Sequence, residues 1–263
     1  MKALTISFTL VLVCLGVFAQ TPGIPKQNKD DFERLSFEVE VEKSNYLLSE
    51  PITIKFTFSN KTADSLISYQ PVFTQESELK VIFDGNITTF SSLSSITGKP
   101  MRFPLTIKPN VSIKDHEMFG PSFSGNFFPV PGKYIIQFIL RRSDAVKSIA
   151  SNIIDIVVEE PAGINREAFE FLKRHEKYFD LSSWVFQEKE GFALLETFVR
   201  QYDRSVYGEF GISSLAYSYL SQGEMEKAKT EFEKISFSQN KLFADDAKRS
   251  LADIERKLKE KLP

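Results

Sequence analysis

Apolar residues in this 263-residue chain change their spacing once, at Pro161-Ala162-Gly163. Upstream, between Leu35 and Glu160, they recur at every second position, the period that places alternate side chains on one face of a strand. Phe37, Val39 and Val41 alternate with Glu38, Glu40 and Glu42, and Ile52, Ile54, Phe56 and Phe58 alternate with Thr53, Lys55 and Thr57. The same pattern predicts strands over 78–84, 102–108, 133–141 and 148–159. Downstream, from Asn165 onward, apolar residues recur at three and four, the helical period, and no proline interrupts them between Pro161 and Pro263. The spacing therefore predicts an all-β region over 35–160 followed by an all-α region over 161–263.

Turn chemistry separates the strands: Ser49-Glu50-Pro51, Asn60-Lys61-Thr62, Asp84-Gly85-Asn86, Gly98-Lys99-Pro100 and Pro129-Val130-Pro131-Gly132. No helical segment intervenes, which argues for antiparallel connections. About seven short strands in about 125 residues fit an immunoglobulin-like β-sandwich. The segment Tyr46-Leu47-Leu48-Ser49-Glu50-Pro51-Ile52-Thr53-Ile54 with Phe58-Ser59-Asn60, and later Pro131-Gly132-Lys133-Tyr134-Ile135-Ile136, resembles bacterial Ig-like modules of the proteinase-inhibitor and macroglobulin-like types. That resemblance implies an Ig-like antiparallel sandwich and, as one functional expectation, an inhibitor or accessory factor of an extracellular or periplasmic protease.

In the helical region, counting Glu209 as position 1 of a 34-residue unit puts Leu215 and Ala216 at positions 7 and 8, Tyr219 at 11, Gly223 at 15, Ala228 at 20 and Phe232 at 24. This resembles the tetratricopeptide repeat, in which small residues let two antiparallel helices approach. Asn240 stands where that repeat usually has proline. So does Asp203, in a preceding junction that runs Tyr202-Asp203-Arg204-Ser205-Val206-Tyr207. A last helix over 243–261, with Ala244, Ala247, Leu251, Ile254 and Leu258 on one stripe, reads as the cap that covers the final apolar face of short α-hairpins.

The ends and the composition narrow the function. Met1-Lys2, an apolar run from Leu4 to Phe18 and Val17-Phe18-Ala19 read as a signal peptide over 1–19, followed by a flexible lead-in over 20–34. Cys14 follows Val13 rather than a small residue, and the apolar run continues past it, which disfavours lipidation there. No other stretch is long and apolar enough to span a bilayer. Thirty-three Lys and Arg face 35 Asp and Glu, so no basic surplus points to nucleic acid. One Cys and two His cannot build a zinc cluster or a disulfide framework.

His116 and His175 fall in no metal motif and read as surface or turn residues. Asn60, Asn86 and Asn110 each begin an Asn-x-Ser/Thr glycan acceptor. Phe is frequent, 25 residues, and Phe37, Phe56, Phe58, Phe83 and Phe138 read as inward strand positions, with Phe171, Phe198 and Phe232 on helical seams. Phe119, Phe123, Phe127 and Phe128 lie in a Gly/Pro/Ser-rich stretch with no strand period. They, Trp184 and Tyr219 are the candidate binding residues. No catalytic signature or cofactor motif is present. The sequence thus reads as a non-catalytic exported module, without cofactor, that binds a protein or peptide partner at the cell envelope.

Overall fold

The computed structural model describes residues 31–69, 76–91, 104–119, 127–141, 148–179 and 189–260. Strands occupy the first part: β1 (Ser36–Val41), β2 (Asn45–Leu47), β3 (Ile52–Ser59), β4 (Leu66–Tyr69), β5 (Ser77–Phe83), β6 (Asn86–Ser91), β7 (Pro104–Ile107), β8 (Ser112–Phe119), β9 (Gly132–Arg141), β10 (Ser148–Ala150) and β11 (Ile154–Glu159). They form a sheet in the order β1-β3-β8, a larger one in the order β2-β11-β9-β5-β6 with β10 also on β9, and the pair β4-β7.

The alternation read from the sequence is what buries these sheets. Phe37, Val39, Ile52, Ile54, Phe56 and Phe58 of the first sheet are buried, as are Leu79, Val81, Tyr134, Ile136, Phe138 and Leu140 of the second. The two inner faces meet where Phe56 packs edge-on against Phe138, with ring centroids 5.3 Å apart. Each such aromatic contributes about 2 kcal/mol through the apolar surface it removes from water. Asn60 explains its place after β3. Its side chain is fully buried, its Nδ2 donates to the carbonyls of Asp64 and Ile107, and its Oδ1 accepts from Thr62, so the chain is held where it leaves the sheet.

Three readings need correction. The described residues hold eleven strands rather than about seven, because β2, β4, β6 and β8 lack the alternation. The core-facing positions of β8 include Asp115 and Glu117, opposite Phe56 and Ile54, and β6 is exposed from Asn86 to Thr89. The expected antiparallel connections fail once, since β2 runs parallel to β11 with Asn45 beside Val157. The predicted strand over 148–159 is two strands. The Ser151 hydroxyl accepts from the Phe138 amide, and Asn152 turns its side chain onto Val39, which breaks the ladder between β10 and β11.

After β11 ends at Glu159, the described residues contain six helices: α1 (Ile164–Arg174), α2 (Glu176–Phe179), α3 (Lys189–Tyr202), α4 (Gly208–Ser221), α5 (Met225–Ile235) and α6 (Lys241–Glu260). Ala216 of α4 and Ala228 of α5 are fully buried, which lets these two helices approach. Gly223 turns the chain between them at φ +78°. Phe171, Phe179 and Phe198 cluster with centroid separations of 5.8 to 6.1 Å. The stripe on α6 buries Ala244, Ala247 and Ile254 and leaves Leu251 and Leu258 half-buried.

Two turns of the helical region bear on the strands. Before α4, Tyr207 is fully buried and its hydroxyl donates to the Leu48 carbonyl at 2.6 Å. Burial, with Glu50 and Glu160 nearby, pushes that hydroxyl above the ordinary tyrosine range, so it stays a donor. Before α6, the Asn240 Nδ2 donates to Glu42 Oε2 at 3.0 Å and to Thr53 Oγ1 at 3.1 Å, while its Oδ1 accepts from the Leu242 amide at 3.0 Å.

Tyr207→Phe removes one buried hydrogen bond at nearly constant volume and should cost about 1 to 2 kcal/mol in urea unfolding. An unchanged midpoint would mean that the contact contributes nothing. Gly208 is set by a closer constraint, because a Cβ there would lie 2.1 Å from the Asp203 carbonyl oxygen. Gly208→Ala should therefore cost about 2 kcal/mol or more in the same assay, whereas an alanine helix start with no neighbour in the way would be neutral.

Candidate functional site

The joint between strands and helices leaves two adjoining depressions, with Glu42 and Asn240 lining both. The smaller, 250 Å³, lies over β1, β3 and β8, where Lys55 and His116 face Lys241 and Leu242 at the start of α6. The larger, 530 Å³, lies between the β2 turn and the α3–α4 turn, with Tyr46 and Pro51 facing Asp203, Arg204, Glu209 and Phe243. The Asn240 bridge to Glu42 and Thr53 stands between them.

Local sequence puts each side chain there. Alternation in β1 and β3 sends the core residues inward and leaves Glu40, Glu42, Thr53 and Lys55 on the outer face. His116 shares that face, paired in register with Lys55. Lys55 forms an ion pair with Glu40, and this bond, aided by Lys114 and His116, holds the Glu40 carboxyl below the usual carboxylate range. Lys43 pairs with Glu50, whose other oxygen accepts from the Leu47 amide at 2.8 Å. Burial raises the Tyr46 hydroxyl to about 12. Arg204, Lys241, Asp203 and Glu209 also line the cleft and carry no ion pair among the described residues. The cleft therefore offers both signs of charge beside apolar walls. Among the described residues no three His, Cys, Asp or Glu side chains gather as metal ligands would.

Of the residues singled out from sequence, Tyr219, Phe119, Phe127 and Phe128 do not line either depression. Tyr219 is buried on the helices. Its hydroxyl donates to Glu196 at 2.7 Å, its ring meets Phe192 edge-on at 5.3 Å, and the Lys227 ammonium lies 5.2 Å from the ring centre. It ties α3, α4 and α5 together. Phe127 and Phe128, expected in a loop, precede β9 outside any strand and pack against the strands: Phe127 meets Phe90 at 4.8 Å, and buried Phe128 meets Tyr134 at 5.0 Å. Their aromatic faces serve packing. Phe119 belongs to β8, paired with Ile52, and not to a loop. Phe123 and Trp184 lie outside the described residues.

His116 is exposed, and His175 follows α1 with its ring 4.8 Å from Phe171. Asn60, buried and fully engaged, cannot accept a glycan in the folded chain, whereas Asn86 and Asn110 are exposed. Sequence reasoning missed Tyr207, Asn240, Lys241 and Arg204 as joint residues. The available signal was the pair of departures from proline, at Asp203 and Asn240.

On the opposite face of β8, Glu117 is half-buried, and burial with Asp115 alongside raises its carboxyl from 4.5 to about 7. Between those values the folded chain holds a proton that the unfolded chain has lost, so this group's contribution to stability falls as pH rises from 4.5 to 7. Glu117→Gln should gain about 1 kcal/mol over the parent at pH 8, discounted for partial exposure, and nothing at pH 4. Equal stability at pH 8 would contradict the assignment.

No protein-family model and no curated protein sequence matches the chain. Solved structures resemble about half of it. The sporulation control protein Spo0M of Bacillus subtilis is 13% identical over 54% of this chain and 56% of that one, with a TM-score of 0.30. The chain thus covers under two thirds of that protein's length. A CARDB domain of Pyrococcus furiosus, crystallised with di-metal ions, is 10% identical over 48% of this chain and 94% of that one, with a TM-score of 0.27. A Niemann-Pick type C2 protein from Japanese carpenter ant is 11% identical over 48% of this chain and 92% of that one, with a TM-score of 0.31. Likeness at this level defines neither a family nor a function.

Proposed function

We propose that the chain is an exported, non-catalytic interaction module in which an Ig-like sandwich carries tetratricopeptide-like α-hairpins capped by α6, and that a protein partner's segment lies in the cleft at their joint. The observation that carries this reading is that the cleft is built by both regions and pinned from within by Tyr207 and Asn240. A surface set before the partner arrives loses little freedom on binding. The facing inner sheets support the sandwich. The buried Ala216–Ala228 approach and the Gly223 turn support the hairpins. Mixed charge, with Arg204 and Lys241 in no ion pair among the described residues, favours a polar peptide surface over an apolar ligand. Among the described residues no helix is long and apolar enough to cross a membrane.

The test uses the full chain as bait on an envelope fraction, beside the double variant Arg204→Glu and Lys241→Glu. A partner identified by mass spectrometry should bind the variant at least about tenfold more weakly in titration, with unfolding unchanged. Equal affinity for both baits would remove the cleft as the binding surface.

A further inference from the structure

Edge strands present unpaired backbone groups that invite another chain, and folded proteins guard them. Nearly every edge among the described residues carries such a guard. On β1 the Asn152 side chain imitates a neighbouring strand: the Val39 amide donates to its Oδ1 at 2.8 Å, and its Nδ2 donates to the Val39 carbonyl at 3.0 Å. On β4, Asp31 does the same, its amide donating to the Ile67 carbonyl and its carboxylate accepting from the Ile67 amide. The three-residue β2 has its Leu47 amide taken by Glu50 and is followed by the Leu48 carbonyl taken by Tyr207. β7 opens with Pro104, which has no N–H, and β8 carries Lys114, Asp115, His116 and Glu117.

β6 differs from all of these. It is the edge of the larger sheet, with β5 its neighbour among the described residues. Its sequence, Asn86-Ile87-Thr88-Thr89-Phe90-Ser91, has no charge and no proline, and is rich in β-branched residues. Asn86 to Thr89 are exposed, and Ile87 shows 62% of its surface to solvent.

We infer that β6 pairs antiparallel with β6 of a second copy of this chain across a two-fold axis, joining the two larger sheets into one. The neutrality of the strand selects this occupant. Antiparallel pairing across a two-fold normal to the sheet sets residues of one face opposite residues of the same face of the copy. β8, with Asp115 and Glu117 on one face and Lys114 and His116 on the other, would therefore bring like charges together. An axis at Thr88 of β6 instead sets Ile87 opposite Thr89 and Asn86 opposite Phe90 and brings no charges together. Pairing would satisfy the outward backbone groups and cover Ile87. One strand edge is a small contact, so the dimer is expected in the micromolar range.

Sedimentation of the full chain from about 5 to 200 µM tests this. The weight-average mass should climb toward twice the monomer value, and the amides of Ile87 to Phe90 should gain exchange protection with concentration. The double variant Ile87→Glu and Thr89→Glu adds only exposed charges, one of them opposite Lys80 on β5, and should raise the dissociation constant at least about tenfold. A chain that stays monomeric throughout, a dimer of equal strength in the variant, or a dimer whose β6 amides gain no protection would overturn the proposal. The exchange measurement needs no variant, so a misfolded variant would not shelter it.

Discussion

The Tyr207 hydroxyl reaches the Leu48 carbonyl in a place sealed from water, and the relation of the strands to the helices depends on that bond. A buried tyrosine that lost its acceptor would keep its desolvation cost without a partner, so the hydroxyl favours one placement of α4 over the β2 turn. Gly208 allows the turn that presents Tyr207, since the Asp203 carbonyl leaves no room for a Cβ. Asn240 adds a second point of attachment, and its own Oδ1 accepts from the Leu242 amide in the first turn of α6. The cleft is the space these two attachments leave on either side of Asn240.

What could be read along the chain followed from which faces are buried. β1, β3, β5 and β9 each bury one face and expose the other, so their alternation survives in the sequence. β8 hid because two of its core-facing positions are carboxylates at an edge, and β6 because most of it is exposed and offers no contrast between faces. The helices were legible from spacing, including α6, whose one apolar stripe buries Ala244, Ala247 and Ile254.

The candidate site was far less legible, and for a physical reason. Tyr207 and Leu48 are 159 residues apart, and Asn240 and Thr53 are 187 apart, so no local period records their meeting. Of the aromatic residues that stood out in sequence, Phe127, Phe128 and Tyr219 take part in packing. The better signal was negative. Where proline is usual in the repeat that 209–242 resembles, this chain places Asn240, and the structure shows an amide there holding β3, the residue that follows β1 and a helix start at once. Asp203 likewise departs from proline and supplies the carbonyl against which Gly208 closes.

If Tyr207 and Asn240 make one body of strands and helices, the two regions should lose structure together. Hydrogen exchange followed through a urea titration, read separately at the β9 amides and the α4 amides, measures this directly in the unaltered chain. The account predicts a single midpoint shared by both sets of amides. Two separated midpoints, with α4 opening while β9 stays protected or the reverse, would contradict it.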